Sequence, residues 1–381
     1  MKIAKLTWLY NGNYGSVLQA FALQKFLENE GYDVIDLNYK PSISTKLINW
    51  VTSRNSFSLF FDKYKGLKNK SSFTDDTLIR ARAENFKRFK EENIKLTKLC
   101  KNPRELKKVA EDYDVFICGS DQIWSPKLMN PIFYFSFLNE NKIKISYAPS
   151  FGVTDTTVEK KKKIGKLLEK FDYISIRENQ GQELIKEITG KDVPVQVDPT
   201  MLLDKDEWEK YSGTEKIIEK DYVFCYLLTP NKEYIENVRK FAKEKNLEVV
   251  IVPTEKGPFN TGFIEHFEAG PKEWLNLLKN SSYVFTDSFH GCIFSVIFQK
   301  NVFLYKRFSD NSKKSENSRI YTLTKWLEIE ERLIDNTNME KIFDLKNVDY
   351  EKVAKNLRKK SQESSKWLLD VINESETKIG R

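Results

Sequence analysis

The sequence predicts an α/β protein built from two doubly wound, Rossmann-like lobes. Three observations carry this. The chain opens as strand, turn, helix, strand, which implies a parallel sheet. A second alternating series begins after a break near residues 200–220. The length of 381 residues is also more than one ordinary core requires.

The opening unit runs from an apolar strand at 3–9 (IAKLTWL) through a turn cluster at 11–16 to helical periodicity at 17–27, which closes near Gly31. A strand follows at 32–37. Residues 42–108 change character: they are Lys-rich, with helical spacing and many aromatics (Trp50, Phe57, Phe86, Phe89), and predict a helical insertion lying on the sheet. Strands are then expected at 113–118, 143–148, 173–176 and 193–197, with helices at 157–171 and 179–188. Asp198-Pro199-Thr200 breaks the last strand. The second series places strands at 222–228, 247–252, 283–286 and 302–305. Its helices fall at 232–244, 271–279, 291–298, 319–330 and 349–376. The expected division is a lobe at 1–205, on the acceptor side, and a lobe at 206–381 with the C-terminal helix, on the donor side. Ligands of such sheets sit facing the carboxyl ends of the strands.

Composition narrows the class. Hydrophobic residues make up 40% and charged residues 31%, a globular balance. The net charge of +8 rests on scattered lysines such as Lys160 to Lys163, interleaved with acids, and no nucleic-acid motif accompanies it. The four cysteines are far apart and the chain has only two histidines, so neither a disulfide framework nor a metal site is expected. No apolar run approaches the roughly 20 residues of a membrane span. The start lacks the pattern of a cleavable signal, and a cytoplasmic location is expected.

The most informative stretch is 282–298, SYVFTDSFHGCIFSVIF. A strand runs through Thr-Asp-Ser-Phe-His-Gly into an apolar helix. Ser288, Phe289, His290 and Gly291 therefore sit where free backbone N–H groups and the helix dipole favour an anion. His290 suits phosphate binding or proton transfer near neutral pH. The alternative is a capped helix with a packed imidazole. His266 has no such setting and reads as a surface or packing residue. The loop carrying Asn13, Tyr14 and Gly15 also joins a strand to a helix, although it is neither GxGxxG nor a P-loop. Asp121 and Trp124 follow another strand, where the acid can accept a sugar hydroxyl or a proton and the indole can stack on a sugar face or anchor a turn. Arg177 follows a strand directly, a position for gripping carboxylate or phosphate or for an ion pair. Arg307 and Arg319 are further candidates for the same cleft.

Asn-Tyr-Gly-Ser-Val-Leu-Gln-Ala, Gly-Ser-Asp-Gln-Ile-Trp, Tyr-Ala-Pro-Ser-Phe-Gly, Ser-Ile-Arg-Glu, Val-Asp-Pro-Thr, Thr-Asp-Ser-Phe-His-Gly and Asn-Ser-Arg-Ile occur in that order. Together they resemble the polysaccharide pyruvyl transferase family over roughly residues 10–335. The resemblance implies a GT-B-like fold, phosphoenolpyruvate as donor substrate with no cofactor, and a glycan or lipid-linked oligosaccharide as acceptor. It aligns His290 with the family's characteristic His and Arg177 with its mid-chain Arg. Many relatives read Ser-Arg-Leu-His-Gly. Here Ser288 replaces that Arg, and Arg307 or Arg319 is expected to supply the cation.

The expected activity is transfer of a pyruvyl group to a pair of sugar hydroxyls, with His290 and Asp121 as the catalytic candidates. Arg177, Ser288, Phe289, Gly291, Arg307 and Arg319 are expected at the donor, and Asn13, Tyr14, Gly15 and Trp124 at the acceptor. A nucleotide-sugar glycosyltransferase and a non-catalytic glycan-binding protein are the rivals. The basic, aromatic insertion also fits peripheral contact with a membrane surface carrying a lipid-linked acceptor.

Overall fold

Short apolar runs such as Tyr222–Tyr226, buried at every position, form strands covered on both faces. The computed structural model describes residues 1–10, 12–42, 76–229, 231–254, 261–308, 317–335 and 337–380. In the first lobe β1 (Ile3–Leu6), β2 (Val34–Asp36), β3 (Val115–Cys118), β4 (Ile143–Ser146) and β5 (Tyr173–Ile174) form a parallel sheet in the order β2-β1-β3-β4-β5. In the second, β6 (Tyr222–Tyr226), β7 (Glu248–Ile251), β8 (Ile264–Glu265), β9 (Tyr283–Thr286), β10 (Asn301–Tyr305) and β11 (Leu333–Ile334) lie in the order β11-β10-β9-β6-β7-β8, again parallel. Both orders reverse direction once, at β1/β3 and at β6/β9. These are the two places where a doubly wound sheet opens a crevice.

The helices are α1 (Tyr14–Asn29), α2 (Asp76–Asn93), α3 (Pro103–Ala110), α4 (Val158–Leu168), α5 (Asn179–Thr189), α6 (Lys205–Tyr211), α7 (Lys232–Glu244), α8 (Pro271–Asn280), α9 (Phe289–Ile297), α10 (Ser318–Leu327) and α11 (Tyr350–Ile379). Many start on a side-chain cap: Asn13, Asn102, Thr157, Asp204, Asn231, Ser288 and Asp349 each accept a first-turn N–H.

α1 is buried almost all round because it lies between the lobes. Tyr14 stacks on Trp274 of α8 at 5.4 Å, and its hydroxyl donates to the Ala269 carbonyl at 2.6 Å. Phe21 packs edge-on against Trp208. One apolar core therefore runs through both lobes.

Three expectations change. Of the expected insertion, α3 does pack on the sheet, with Leu106, Val109 and Ala110 in the core beside Ala4 and Phe116. Residues 43–75, including Trp50 and Phe57, fall outside the described residues, as does Asn11 in the first loop. α2 instead bridges to the second lobe. Phe86 and Phe89 enter the shared core, while Arg82 Nη1 and Asn85 Nδ2 donate to the carbonyls of Pro253 (2.8 Å) and Glu268 (2.9 Å). The strand expected at 193–197 shrinks to a single bridge between Ile176 and Val195, since Pro194 has no N–H to continue a ladder. α11 starts on the second lobe, where the Tyr350 hydroxyl donates to the Lys300 carbonyl, then crosses to the first. There Ser364 accepts the Val197 N–H and Tyr32 donates to Asn373.

Cys100, Cys118, Cys225 and Cys292 are buried free thiols. No described helix is long and apolar enough to cross a membrane, and no group of three metal-ligating side chains occurs among the described residues.

Candidate active site

The loops after β1, β3, β6, β9 and β10 and the start of α10 meet in a cleft of about 70 Å³ at the two sheet-reversal points. Its polar lining includes Asn13, Asp121, His290, Arg307, Asn317 and Arg319.

Local chemistry fixes the second-lobe wall. The Asp287 carboxylate accepts N–H groups of Leu228 (2.6 Å) and Thr229 (2.9 Å), stitching the loops after β6 and β9 together. Burial pushes this carboxyl up to about 6 against those bonds and Arg307. Thr286 Oγ1 accepts the Ser288 N–H, and Ser288 Oγ accepts the Gly291 N–H at 3.2 Å. The first turn of α9 is thus locked, with Phe289 and His290 in the cleft wall.

Two expectations for this turn are corrected. The Gly291 N–H is occupied by the Ser288 cap and is not free for an anion. Gly291 is required by β9 rather than by a ligand, because a Cβ there would stand 2.4 Å from Thr286 Oγ1. Ser288 lines the cleft, and its oxygen accepts the Gly291 N–H in the same cap.

His290 meets the first lobe. It is 7% exposed, and its Nε2 lies 3.3 Å from Asp198 Oδ2, within ion-pair range but off hydrogen-bond alignment. Its ring rests on α1, where a Cβ on Gly15 would come within 2.0 Å of Nδ1. Gly15 therefore admits the imidazole. A Gly15→Ala substitution should displace His290 by an ångström or more and lower turnover about 100-fold, with a smaller loss of stability. Comparing kcat with the melting temperature separates the two effects.

Asp198 gathers the charges. It accepts from Arg177 Nη1 (2.6 Å), Ser120 Oγ (2.9 Å), Thr200 Oγ1 (2.7 Å) and Thr200 N–H (3.1 Å). Burial alone would raise this carboxyl. His290, Arg177 and Thr200 instead hold it well below the usual carboxylate range. Arg177 is 2% exposed, and its Cζ sits 4.6 Å from the Phe289 ring centroid, with Arg319 at 5.7 Å from the same ring. Among the described residues, Arg177 Nε and Nη2 find no hydrogen-bond partner, although Nη2 approaches Asp121 Oδ1 at 3.8 Å.

Asp121 adopts φ 73°, a left-handed conformation uncommon outside glycine. Its carbonyl is fixed by the Ser150 N–H (2.8 Å), and its carboxylate accepts the Ser16 hydroxyl and the Gln122 N–H. Arg307 donates to Thr229 Oγ1 at 3.0 Å and lies 4.0 Å from Asp287.

Two acceptor candidates are corrected. Trp124 is fully buried, donates to the Phe133 carbonyl at 3.2 Å and stacks on Tyr134 at 4.9 Å, so no sugar can reach its face. Tyr14 joins the lobes and does not line the cleft. His266 pairs with Glu268 at 2.9 Å, away from the cleft lining. Sequence reasoning missed Asp198, Asp287, Gln122 and Asn317. Asp198 stood in Val-Asp-Pro-Thr, at the end of an expected strand, where it read as a breaker and as part of the family resemblance but not as a site residue.

The family model for polysaccharide pyruvyl transferase matches residues 13–307. The chain belongs to the polysaccharide pyruvyl transferase family. The matched span contains Arg177, Asp198 and His290. No curated protein matches the chain significantly. Among solved structures, a UDP-N-acetylglucosamine 2-epimerase from Rickettsia bellii aligns over 98% of this chain and 96% of its own, with a TM-score of 0.51 at 9% identity. The UDP-GlcNAc 2-epimerase from Neisseria meningitidis, bound to UDP-GlcNAc, aligns over 98% and 100% with a TM-score of 0.48 at 12% identity. For this family member the fold is of GT-B type, two Rossmann-like lobes facing across a cleft.

Proposed function

We propose that the protein transfers a pyruvyl group from phosphoenolpyruvate to two hydroxyls of a sugar, in a cell-surface polysaccharide or its lipid-linked precursor, forming a pyruvate ketal. Family membership supports the reaction class. The observation that carries the reading is the meeting of His290, which lines the cleft together with Arg307 and Arg319, with the buried Arg177–Asp198 pair of the first lobe. Phosphoenolpyruvate carries about three negative charges. Arginines around a small polar cleft suit such an anion. Arg319, beside Phe289, takes over the charge that Ser288 does not supply.

In this reading His290 delivers a proton to the methylene carbon, giving a methyl group and a cationic centre at C2. The first sugar hydroxyl forms a C–O bond there and its proton passes to Asp121. The bond from C2 to the phosphate oxygen then breaks. The second hydroxyl closes the ketal, and its proton leaves with phosphate. One donor and one diol yield one ketal and one phosphate. Asn13 and Gln122, beside Asp121 in the cleft, are placed to orient the diol. A lipid-linked acceptor would bring the protein to a membrane surface.

The test is thermal unfolding with phosphoenolpyruvate and, separately, with nucleotide sugars. Saturation at about 100 times the dissociation constant adds about 2.7 kcal/mol, a rise of a few degrees. Stabilisation by phosphoenolpyruvate is expected. Stabilisation by a nucleotide sugar alone would replace this reading with a glycosyltransferase one.

A further inference from the structure

His290 has two ring nitrogens, and the structure treats them differently. Nε2 faces Asp198 at 3.3 Å. Asp198 is 1% exposed and already accepts from Arg177, Ser120 and Thr200, a set of donors that only a carboxylate satisfies. A lone pair on Nε2 would therefore face a fixed negative charge, whereas an N–H is attracted to it. Nδ1 lies over Gly15, where a Cβ would come within 2.0 Å of it. The other charged groups around the ring are Asp121 from the loop after β3, Asp287 after β9, Arg307 after β10, Arg319 on α10 and Arg177 beyond Asp198. α1 brings the Gly15 backbone against the ring.

From this geometry we infer that Asp198 is a positioning residue that keeps a proton on His290 Nε2, so that Nδ1 is the nitrogen that serves the cleft. This rests on the proposed chemistry for its purpose, but not for its test. In the transfer step the imidazolium loses the Nδ1 proton to the methylene carbon. The Nε2 proton stays facing Asp198, which is never protonated. Gly15 acts in the same arrangement by leaving Nδ1 uncovered.

The experiment is nitrogen-15 NMR of the full chain labelled at histidine. With two histidines, the spectrum holds two rings, and His266→Gln assigns them. In the parent protein the neutral His290 ring is expected to carry its proton on Nε2. A proton on Nδ1 overturns the inference, and this reading needs no variant. In Asp198→Asn, where the fixed negative charge facing Nε2 is lost, the ring should become a tautomer mixture. The His266 ring, paired with Glu268, should keep its own tautomer. An unchanged His290 tautomer in folded Asp198→Asn also overturns the inference. Should that variant fail to fold, the parent tautomer decides. Turnover of Asp198→Asn should fall through kcat more than KM. Failure of phosphoenolpyruvate to stabilise the protein would overturn the donor proposal while leaving the tautomer result intact.

Discussion

His290→Ala lowers turnover by about 10²–10⁴-fold and leaves the protein folded. The magnitude is that of a general acid removed from a site whose other groups persist. The fold survives because Asp198 keeps Arg177, Ser120 and Thr200 as partners, so no buried charge is stranded. The measurement is phosphate release from phosphoenolpyruvate in the presence of a glycan acceptor, alongside the melting temperature. The kinetic split assigns the role. A fall in kcat with KM nearly unchanged marks an interaction made in the transition state. A rise in KM at constant kcat makes His290 a phosphate ligand instead. Unchanged turnover refutes both roles and leaves the imidazole as packing between the lobes.

The sequence made some of this site legible and hid the rest for identifiable reasons. Strands buried on both faces read directly as continuous apolar runs, as in Tyr222–Tyr226 and Tyr283–Thr286. The turn before α9 was readable because a capping serine and a histidine stand at an element junction. What a glycine or a tryptophan is for depends on what approaches it from elsewhere. Gly15 and Gly291 look alike in sequence, yet one admits His290 and the other admits Thr286. Trp124 follows a strand like a sugar platform but is claimed by Tyr134 and Phe133. Asp198 has partners from both lobes, so its importance appears only once His290 is brought across the cleft. The crossing of α11 back to the first lobe rests on contacts such as Tyr32 to Asn373, which no local pattern encodes.

The second large effect lies in the first lobe. Lys5 and Asp36 stand opposite one another on β1 and β2, both fully buried, with Lys5 Nζ donating to Asp36 and to the Ala20 carbonyl of α1 (2.7 Å). The site helix is thus tied to the sheet through a buried ion pair. Removing one partner strands a charge in a low-dielectric interior. Asp36→Ala or Lys5→Met should therefore each cost about 3–5 kcal/mol, read as a lower urea midpoint. The double variant Lys5→Met, Asp36→Leu removes both charges and restores apolar volume. It should lose less than either single variant and can equal the parent, because the desolvation cost of the pair disappears with the pair. Additive losses in the double variant would mean that the two charges do not depend on each other. The same comparison bears on the active site. The first turn of α1 carries Asn13 at its cap and Gly15 against His290, while Ala20 ties the helix to Lys5. A single variant that lets α1 shift should reduce turnover at temperatures where the chain is still folded. The double variant, which keeps α1 in place by packing alone, should retain it.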